Sequence, residues 1–276
     1  MAQTIILSGG IMLGIGLFFG VVLALADRYL KVQEDPRIDV LEELLPGTNC
    51  AACGQPGCRG FALSLVAEES VPGQCTVAAA ERVEAIAAFL GVDAGFQEKV
   101  VARLHCAGGT SVVKQLADYH GMSSCRAAFV VNGGGKACPW GCLGLGDCDR
   151  ACDFDAIHMN DEALPVVSVD KCTACNDCVE VCPLNLFALH PVSEKVIVQC
   201  SSPLTGDPVR AICRVACDGC GLCAADAEPE AIEMQGGLPV IRNPRGALES
   251  CTRRCPTGAI HWVDADQFAV GVGGHA

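Results

Sequence analysis

Apolar residues follow three different patterns along this chain. Residues 1–26 contain no charged side chain, and residues 5–26 form one long run dominated by apolar residues and glycine. From residue 36 to residue 45, and again from 80 to 90, apolar residues recur at helical spacing. Beyond residue 100, short apolar runs alternate with loops rich in Gly and Cys. The pattern predicts an α+β chain with one long N-terminal helix, a small helical domain, and then short strands and turns.

The first apolar run is long enough to cross a membrane. A helix over residues 5–26, at about 1.5 Å per residue, spans a hydrocarbon layer of roughly 30 Å. A buried helix of a soluble core is one alternative. A cleaved signal peptide is another, because Ala24-Leu25-Ala26 before Asp27 has the small residues of a cleavage site. It is opposed by the absence of a basic residue before the run, and by the 21 cysteines that export would carry into an oxidising compartment.

Basic residues follow this span at Arg28 and Lys31, whereas none precedes it. Cytoplasmic flanks of membrane spans are enriched in Lys and Arg, so residues 27–276 are expected on the cytoplasmic side. Within the span, two pairs of glycines lie four residues apart: Gly10 with Gly14 and Gly16 with Gly20. Glycines that face lipid are common, but this spacing also lets the backbone of a second helix approach closely. It indicates a partner protein with membrane spans of its own.

A Gly-rich loop after the helical segment of residues 36–45 begins the first cysteine motif. Its spacing is C-x2-C-x4-C-x16-C, formed by Cys50, Cys53, Cys58 and Cys75. Four such thiolates can hold one iron-sulfur cluster, while loop amides donate to sulfur. Zinc is the structural alternative, since it also accepts four thiolates. A helix over residues 80–90, with Ile86 and Phe89 facing inward and Gly91 as its C-cap, is expected to close this domain.

A C-x3-C pattern then recurs three times, each time followed by a short apolar run. Two-cluster bacterial ferredoxins use C-x2-C-x2-C-x3-C-P, in which the fourth Cys of each run binds the other cluster. One run matches in full, and its mate is a looser run in which Asp153 replaces the proline. In this arrangement, here called crossed ligation, the fourth cysteine of each run binds the cluster of the other run. It predicts one cluster on Cys138, Cys142, Cys148 and Cys182, and a second on Cys172, Cys175, Cys178 and Cys152.

A second pair of runs has lost part of its ligands. Ala227, Arg245 and Leu248 stand where cysteines would be needed, and we expect Leu248 and the stem of Arg245 to fill the vacated volume. Crossing predicts one complete site, on Cys217, Cys220, Cys223 and Cys255. Cys213 with Cys217, Cys220 and Cys223 is the alternative, but it leaves Cys255 unexplained. The rule of four Cys per cluster gives about four 4Fe-4S clusters.

Five cysteines remain outside these motifs: Cys106, Cys125, Cys200, Cys213 and Cys251. Free Cys often packs as a small hydrophobe, which is the expectation for all five. Cys106 and Cys125, which lie between the two iron-sulfur regions, are the alternative candidates for a further ligand pair. The net charge of −13, with no cluster of basic residues, disfavours nucleic-acid binding.

These motifs together resemble the B subunit of the Rnf complex, the ion-translocating ferredoxin:NAD oxidoreductase, in its longer form with extra ferredoxin modules. The resemblance covers nearly the whole chain. It rests on the single span, on ELLPGTNCAACGQPGCRGFA with Cys75, and on CPWGCLGLGDC and CTACNDCVEVCP. It implies 4Fe-4S clusters, electron uptake from reduced ferredoxin, and transfer to membrane subunits of the same complex that reach NAD and move Na+ or H+. Asp153, Ala227, Arg245 and Leu248 depart from the family pattern.

The chain contains no Gly-rich dinucleotide fingerprint after a predicted strand, so NAD or flavin is expected only on partner subunits. The predicted organisation is a transmembrane anchor (1–27), a helical 4Fe-4S domain (28–95), a connecting segment (96–135), a two-cluster ferredoxin-like domain (136–195), a degenerate one-cluster domain (196–264) and a tail (265–276). Such an electron-transfer subunit of a translocase carries no complete active site. The alternatives are a membrane-anchored reductase module for a redox-sensing regulator or another dehydrogenase, and a zinc-stabilised scaffold.

Overall fold

The computed structural model of the chain describes residues 2–30, 35–95 and 98–269, and it confirms a mixed arrangement of helices and strands. The helices are α1 (Ala2–Leu30), α2 (Pro36–Leu44), α3 (Cys58–Val66), α4 (Ala80–Leu90), α5 (Cys125–Val130), α6 (Asp147–Arg150), α7 (Asp177–Val181), α8 (Asp207–Ile212), α9 (Leu222–Asp226) and α10 (Ser250–Arg253). The strands are β1 (Val100–Leu104), β2 (Ile157–Met159), β3 (Pro165–Val167), β4 (Phe187–Pro191), β5 (Val196–Val198), β6 (Ile232–Gln235), β7 (Leu238–Ile241) and β8 (Ile260–Trp262).

Helix α1 contains the predicted span. Its segment Gly9–Ala26 has a mean hydropathy of 2.3, and none of it is buried. In the described part of the chain, this is the one helix with the length and apolar composition to cross a membrane. Arg28 is exposed near the end of the helix. Lys31, the other basic residue behind the predicted orientation, lies outside the described residues.

Helices α2 and α4, which the apolar spacing predicts, pack with α3 into a small helical unit. Leu41, Phe61 and Ile86, one from each helix, are buried in its core. Gly91 ends α4 in the left-handed conformation, at φ 69°, which confirms the predicted C-cap. Phe89 is 44% exposed, so its predicted inward orientation is wrong. The buried stripe of this short helix is narrower than its apolar pattern.

The rest of the chain forms two modules with the same strand topology. In the first module β1 pairs with β4 and β2 pairs with β3, all antiparallel. In the second module β5 pairs with β8 and β6 pairs with β7, again antiparallel. Each module therefore places a hairpin between two outer strands that pair with each other. Two short helices contact each other in each module, α6 with α7 and α9 with α10.

Strand β1 comes from residues 96–135, the predicted connecting segment. Its register places Val100 opposite Pro191 and Leu104 opposite Phe187. Ala102 and Leu104 are buried in the core of the first module. This segment thus supplies an outer strand of the first module, so that the ferredoxin-like topology begins before residue 136.

The half-module that lost its ligands has closed around a small core. Cys251 is 1% exposed there. Leu248 is 48% exposed and Arg245 is also exposed, so the expectation that these two side chains fill the vacated volume is wrong. Ala247, between these two residues in the chain, is buried in the core of the module together with Cys251. A Cβ atom added to Gly246 would lie only 2.9 Å from the Cβ of Ala231, which shows how closely the loop packs against the rest of the module.

Candidate iron-sulfur sites

All 21 cysteines lie in the described part of the chain, and none of them forms a disulfide. Three cavities are each lined by four cysteines, and they have similar volumes of ≈ 320, ≈ 350 and ≈ 290 Å³ with their open mouths included. Among the described residues, no three His, Cys, Asp or Glu side chains group as the ligands of a single metal ion. A 4Fe-4S cluster instead takes one thiolate at each of its four irons. A cavity lined by four cysteines is therefore the feature that indicates a cluster site.

Site I is the cavity lined by the four cysteines of the first motif: Cys50, Cys53, Cys58 and Cys75. The loop before α3 is fixed by Asn49, whose side-chain oxygen accepts a hydrogen bond from the Cys58 amide at 2.8 Å. Gly57, at φ 91°, lies so close that a Cβ atom would be 2.7 Å from that oxygen. Glycine is therefore required at 57. Burial raises the pKa of the Cys75 thiol.

Site II is the cavity lined by Cys152, Cys172, Cys175 and Cys178. The structure thus brings together the four cysteines that crossed ligation assigns to one cluster. The Ala156 amide donates to the Cys152 Sγ at 3.4 Å. Burial raises the pKa of Cys175 to about 11, and the Asp177 amide opposes that rise.

Site III is the group of Cys142, Cys148 and Cys182 in the first module. The thiol of Cys148 lies close enough to that of Cys182 to interact with it electrostatically, and Cys142 interacts with Cys148 in the same way. Burial raises the pKa of Cys148 to about 12. The Leu186 amide donates to the Cys182 Sγ at 3.4 Å. Cys182 therefore lies with cysteines of the preceding run, as crossed ligation requires.

Cys138 does not lie with that group, although the sequence predicts it as the fourth member. Its thiol faces a separate cavity, which is lined by Cys106, Cys138, Cys200 and Cys213 and is here named site IV. A Cβ atom added to Gly141 would lie 3.4 Å from the Cys138 Sγ and 3.7 Å from the Cys106 Sγ, so these two thiols are neighbours. Cys142, four residues further on, does not line this cavity, and its thiol interacts with Cys148 as well as with Cys106. The loop between them separates two cysteines that the motif groups together.

Site V is the group of Cys217, Cys220, Cys223 and Cys255 in the second module. The thiol of Cys255 interacts electrostatically with each of the other three, as crossed ligation requires. Burial raises the pKa of Cys217 to about 12 and that of Cys223 to about 11. Cys213, the further member of the alternative set, lines the cavity of site IV.

The five cysteines outside the motifs occupy different environments. Cys251 packs in the core of the second module, as expected for a small hydrophobe. Cys106, Cys200 and Cys213 line site IV, and Cys125 lies beside Cys148. No spacing pattern in the sequence predicts this grouping, because these cysteines belong to separate loops.

Neighbouring sites adjoin one another. Cys75 of site I and Cys172 of site II line the same cleft. Within the first module, Cys178 of site II lies close enough to Cys148 of site III to interact with it. The helical unit and the first module therefore present their cysteine sites in a continuous series.

The thiols and the amides around them fit a 4Fe-4S cluster. A buried thiol whose pKa is raised stays protonated near neutral pH unless a cation favours the thiolate, and the iron of a cluster supplies that positive charge. Backbone amides that donate hydrogen bonds to these sulfurs lower the thiol pKa and so oppose the effect of burial. Amides of this kind also donate to the sulfurs of iron-sulfur clusters. They come from residues two positions after the cysteine: Asp177 for Cys175, Gly219 for Cys217 and Leu222 for Cys220.

Comparisons with known proteins identify iron-sulfur families in two parts of the chain. A family model described as an Fe-S cluster family matches residues 45–77, and one described as a 4Fe-4S binding domain matches residues 165–186. The B subunit of the Na+-translocating ferredoxin:NAD+ oxidoreductase complex of Acetobacterium woodii is 36% identical over 98% of this chain and 83% of its own length. The B subunit of the ion-translocating oxidoreductase complex of Methanosarcina acetivorans is 36% identical over 94% of this chain and 99% of its own length. The B subunit of the proton-translocating ferredoxin:NAD+ oxidoreductase complex of Clostridium ljungdahlii is 38% identical over 94% and 92%.

The fold and the cysteine sites define an electron-transfer protein that binds 4Fe-4S clusters. Because its relatives match almost end to end, the chain belongs to the B-subunit family of the Rnf ion-translocating ferredoxin:NAD oxidoreductase complex. The resemblance inferred from the motifs is confirmed. Its partners are other subunits of such a complex, and its apolar N-terminal helix is consistent with anchoring in a membrane.

Proposed function

We propose that this chain relays electrons from reduced ferredoxin to the membrane subunits of its complex. The observation that carries the proposal is the series of adjoining cysteine sites, which continues from the helical unit into the ferredoxin-like modules. Each 4Fe-4S cluster supplies storage for one electron at a time. NAD or flavin chemistry and the movement of Na+ or H+ are assigned to the partner subunits.

The residues of the chain hold and tune the clusters. The four cysteines of site I, of site II and of site V are each proposed to bind one cluster, and Cys142, Cys148 and Cys182 supply ligands at site III. The amides described above donate to sulfur, and apolar side chains such as Phe61 at site I and Ile157 at site II reduce contact with water. Hydrogen bonds to sulfur and burial set the reduction potential of each cluster.

The soluble part is proposed to lie on the cytoplasmic side of the cell (inner) membrane, behind a single span. Support comes from the exposed Arg28 at the end of α1 and from the absence of basic residues before the span. Cytoplasmic placement also keeps the thiols in a reducing compartment, where ligands stay available for iron.

Inside-out membrane vesicles that contain the intact complex test the proposal. NAD reduction is followed after addition of reduced ferredoxin, in wild type and in Cys175→Ala, which removes a proposed ligand of site II. We expect the rate to fall at least tenfold, because the series is interrupted. Cys251→Ala is the matched control, since Cys251 is buried outside every site, and its rate is expected to stay at the wild-type level.

Other outcomes identify the alternatives. An unchanged rate of NAD reduction in Cys175→Ala would contradict the relay. If electron supply to a different dehydrogenase or to a regulator fell in its place, the chain would be a reductase module. A colourless purified protein with zinc in place of iron would show a structural scaffold, because zinc has no redox chemistry.

A further inference from the structure

Site IV lies where the two ferredoxin-like modules meet. Its four cysteines come from four separate loops: Cys106 follows β1, Cys138 precedes α6, Cys200 follows β5 and Cys213 ends α8. The cavity of site IV has a volume of ≈ 350 Å³ with its mouth, against ≈ 320 Å³ at site II and ≈ 290 Å³ at site I. It therefore matches, in size and number of thiols, two cavities whose cysteines follow the spacing of known cluster motifs.

Each thiol of site IV accepts a hydrogen bond from the backbone amide of the residue two positions further along the chain. The Gly108 amide donates to the Cys106 Sγ at 3.4 Å. Burial raises the pKa of the other three thiols, and amides in the same relative position oppose that rise: Trp140 for Cys138, Ser202 for Cys200 and Val215 for Cys213. The same relation occurs at sites II and V. Such donors are what the sulfurs of a cluster and its ligands require.

Backbone hydrogen bonds fix the four loops relative to one another. The Ala107 amide donates to the Gln199 carbonyl at 2.9 Å, which joins the loops of Cys106 and Cys200. The Lys114 amide donates to the Ile212 carbonyl at 2.8 Å, and the Lys114 carbonyl accepts from the Ala137 amide at 2.9 Å. Residue 114 therefore joins the loops of the other two cysteines. Site IV is held in shape by pairing between segments that are distant in sequence.

Lys136 adds a positive charge to the wall of site IV. Its ammonium group donates to the Gly108 carbonyl at 2.7 Å and to the Cys142 carbonyl, so the side chain is fixed and half-buried. Four thiolates in one cavity carry more negative charge than the iron and sulfide of a cluster neutralise. A fixed cation beside them offsets part of that charge.

If Cys138 belongs to site IV, site III has three cysteines and needs a fourth ligand. Cys125 lies beside Cys148 and is the candidate for that ligand. Its thiol interacts electrostatically with that of Cys148. The Ser124 hydroxyl and the Arg126 amide both donate to the Asp147 carboxylate, at 3.0 and 3.1 Å. These two bonds attach the start of α5 to the start of α6, beside Cys148.

Site IV also fills the interval between sites III and V. On one side, the Cys142 amide of site III donates to the Cys106 Sγ of site IV at 3.2 Å. On the other side, the Cys217 amide of site V opposes the effect of burial on the Cys200 thiol, and the two thiols interact. The series I, II, III, IV and V is then continuous in the folded chain.

We propose that Cys106, Cys138, Cys200 and Cys213 bind a fifth 4Fe-4S cluster, and that Cys125 completes site III in place of Cys138. The proposal rests on the proposed function only for the kind of metal centre, because the grouping of the thiols follows from the geometry. It assigns 20 of the 21 cysteines, as five sets of four, and leaves Cys251.

Iron and acid-labile sulfide on the anaerobically reconstituted full chain test the fifth site. Five clusters give about twenty iron atoms per chain, and Cys213→Ala should retain about sixteen, on the rule of four per cluster. Cys251→Ala, the matched control, should keep the wild-type content. A wild type with about sixteen iron atoms that Cys213→Ala does not lower would overturn the proposal.

Double variants test the reassignment of Cys138 and Cys125. Cys138→Ala combined with Cys213→Ala should lose no more iron than either change alone, because both thiols serve one cluster. Cys125→Ala combined with Cys182→Ala should likewise lose no more iron than either change alone, because both thiols serve site III. If the first pair lost twice as much iron as Cys213→Ala, Cys138 would belong to site III and the proposal would be wrong.

Electron paramagnetic resonance of the reduced protein gives a second measurement where an alanine variant does not fold. Cys213→Ser and Cys138→Ser are expected to alter the signal of the same cluster, and signals of two different clusters would contradict site IV. One zinc atom per chain that Cys213→Ser removes would also overturn the proposal. Failure of the proposed function is distinct, because it is an unchanged rate of NAD reduction in Cys175→Ala, which neither the iron content nor the paramagnetic signals of site IV determine.

Discussion

Single backbone amides hold the buried thiols of the ferredoxin-like modules. Burial raises the pKa of Cys148 to about 12, so this thiol by itself stays protonated near neutral pH. An amide directed at sulfur favours the thiolate. The Ala156 amide donates to Cys152 and the Leu186 amide donates to Cys182, both at 3.4 Å and both from four residues further on. The fourth cysteine of each run is therefore held in the same way, although the two lie in different sites.

Crossed ligation predicts which cysteine changes share one effect. Cys182→Ala should remove the cluster of site III, about four iron atoms, and leave site II intact, because Cys182 lies with Cys148. Adding Cys148→Ala should cause no further loss. Adding Cys175→Ala should raise the loss to about eight iron atoms, because Cys175 lines site II. Iron analysis of the reconstituted full chain measures these losses.

The combination of Cys175→Ala with Cys182→Ala is the decisive variant. If it lost only about four iron atoms, one run of cysteines would hold one cluster by itself, and crossed ligation would be wrong.

At the scale of elements, the segment after β8 forms hydrogen bonds with β1 of the first module, and this contact is here called the clamp. The Gln267 side chain accepts from the Leu104 amide and donates to the Leu104 carbonyl, both at 2.9 Å, and it is 2% exposed. Arg103, itself 1% exposed, donates to the Ala265 carbonyl at 2.9 Å. Residues 264–268 thus cover the free edge of a strand on which the first module depends.

Loss of this clamp should destabilise the first module. Gln267→Ala leaves the amide and carbonyl of Leu104 buried without partners, which costs about 1–3 kcal/mol for each such group. We expect a lower apparent Tm in anaerobic thermal scans of the full chain at a fixed scan rate. Gln235→Ala is the matched control, because Gln235 is exposed and its side chain donates to the exposed side chain of Glu233. Equal Tm values for the two variants would show that the clamp does not stabilise β1.

At the scale of the whole molecule, the chain combines an apolar anchor with an acidic soluble part. The net charge is −13, while residues 1–26 contribute no charged side chain. The acidic residues therefore all lie after the anchor, where the soluble part meets water and its partners. The proposed transfer of electrons from reduced ferredoxin requires that this part lie on the side of the membrane that contains the ferredoxin.

The orientation can be measured on sealed vesicles that contain the full chain with a C-terminal epitope tag. Protease should remove the tag in inside-out vesicles and spare it in right-side-out vesicles, because a basic residue such as Arg28 favours the cytoplasmic side for its end of α1. Vesicles opened with detergent give the control for protease activity. A tag digested in right-side-out vesicles, or a mature protein that begins at Asp27, would show that the orientation is wrong.

The sequence by itself determined the features that depend on residues close together in the chain. The span follows from the composition of residues 5–26, and site I follows from a Gly-rich loop with Cys75 nearby. The grouping at sites II and V also follows, because repeated runs of cysteine imply two halves related by pseudosymmetry, which exchange their fourth ligands. In each case spacing along the chain limits where a thiol can lie.

Only the tertiary structure decided the features that depend on pairing between distant segments. Cys106 and Cys213 meet because backbone bonds join their loops across the two modules, and no local spacing encodes those bonds. Cys138 and Cys142 share a motif, yet Cys138 lines the cavity of site IV and Cys142 does not. Likewise, Ala247 at the vacated half-site is buried, while Leu248, the next residue along the chain, is exposed. A motif constrains the distance between residues along the chain, whereas the direction of each thiol is set by the packing of the loops around it.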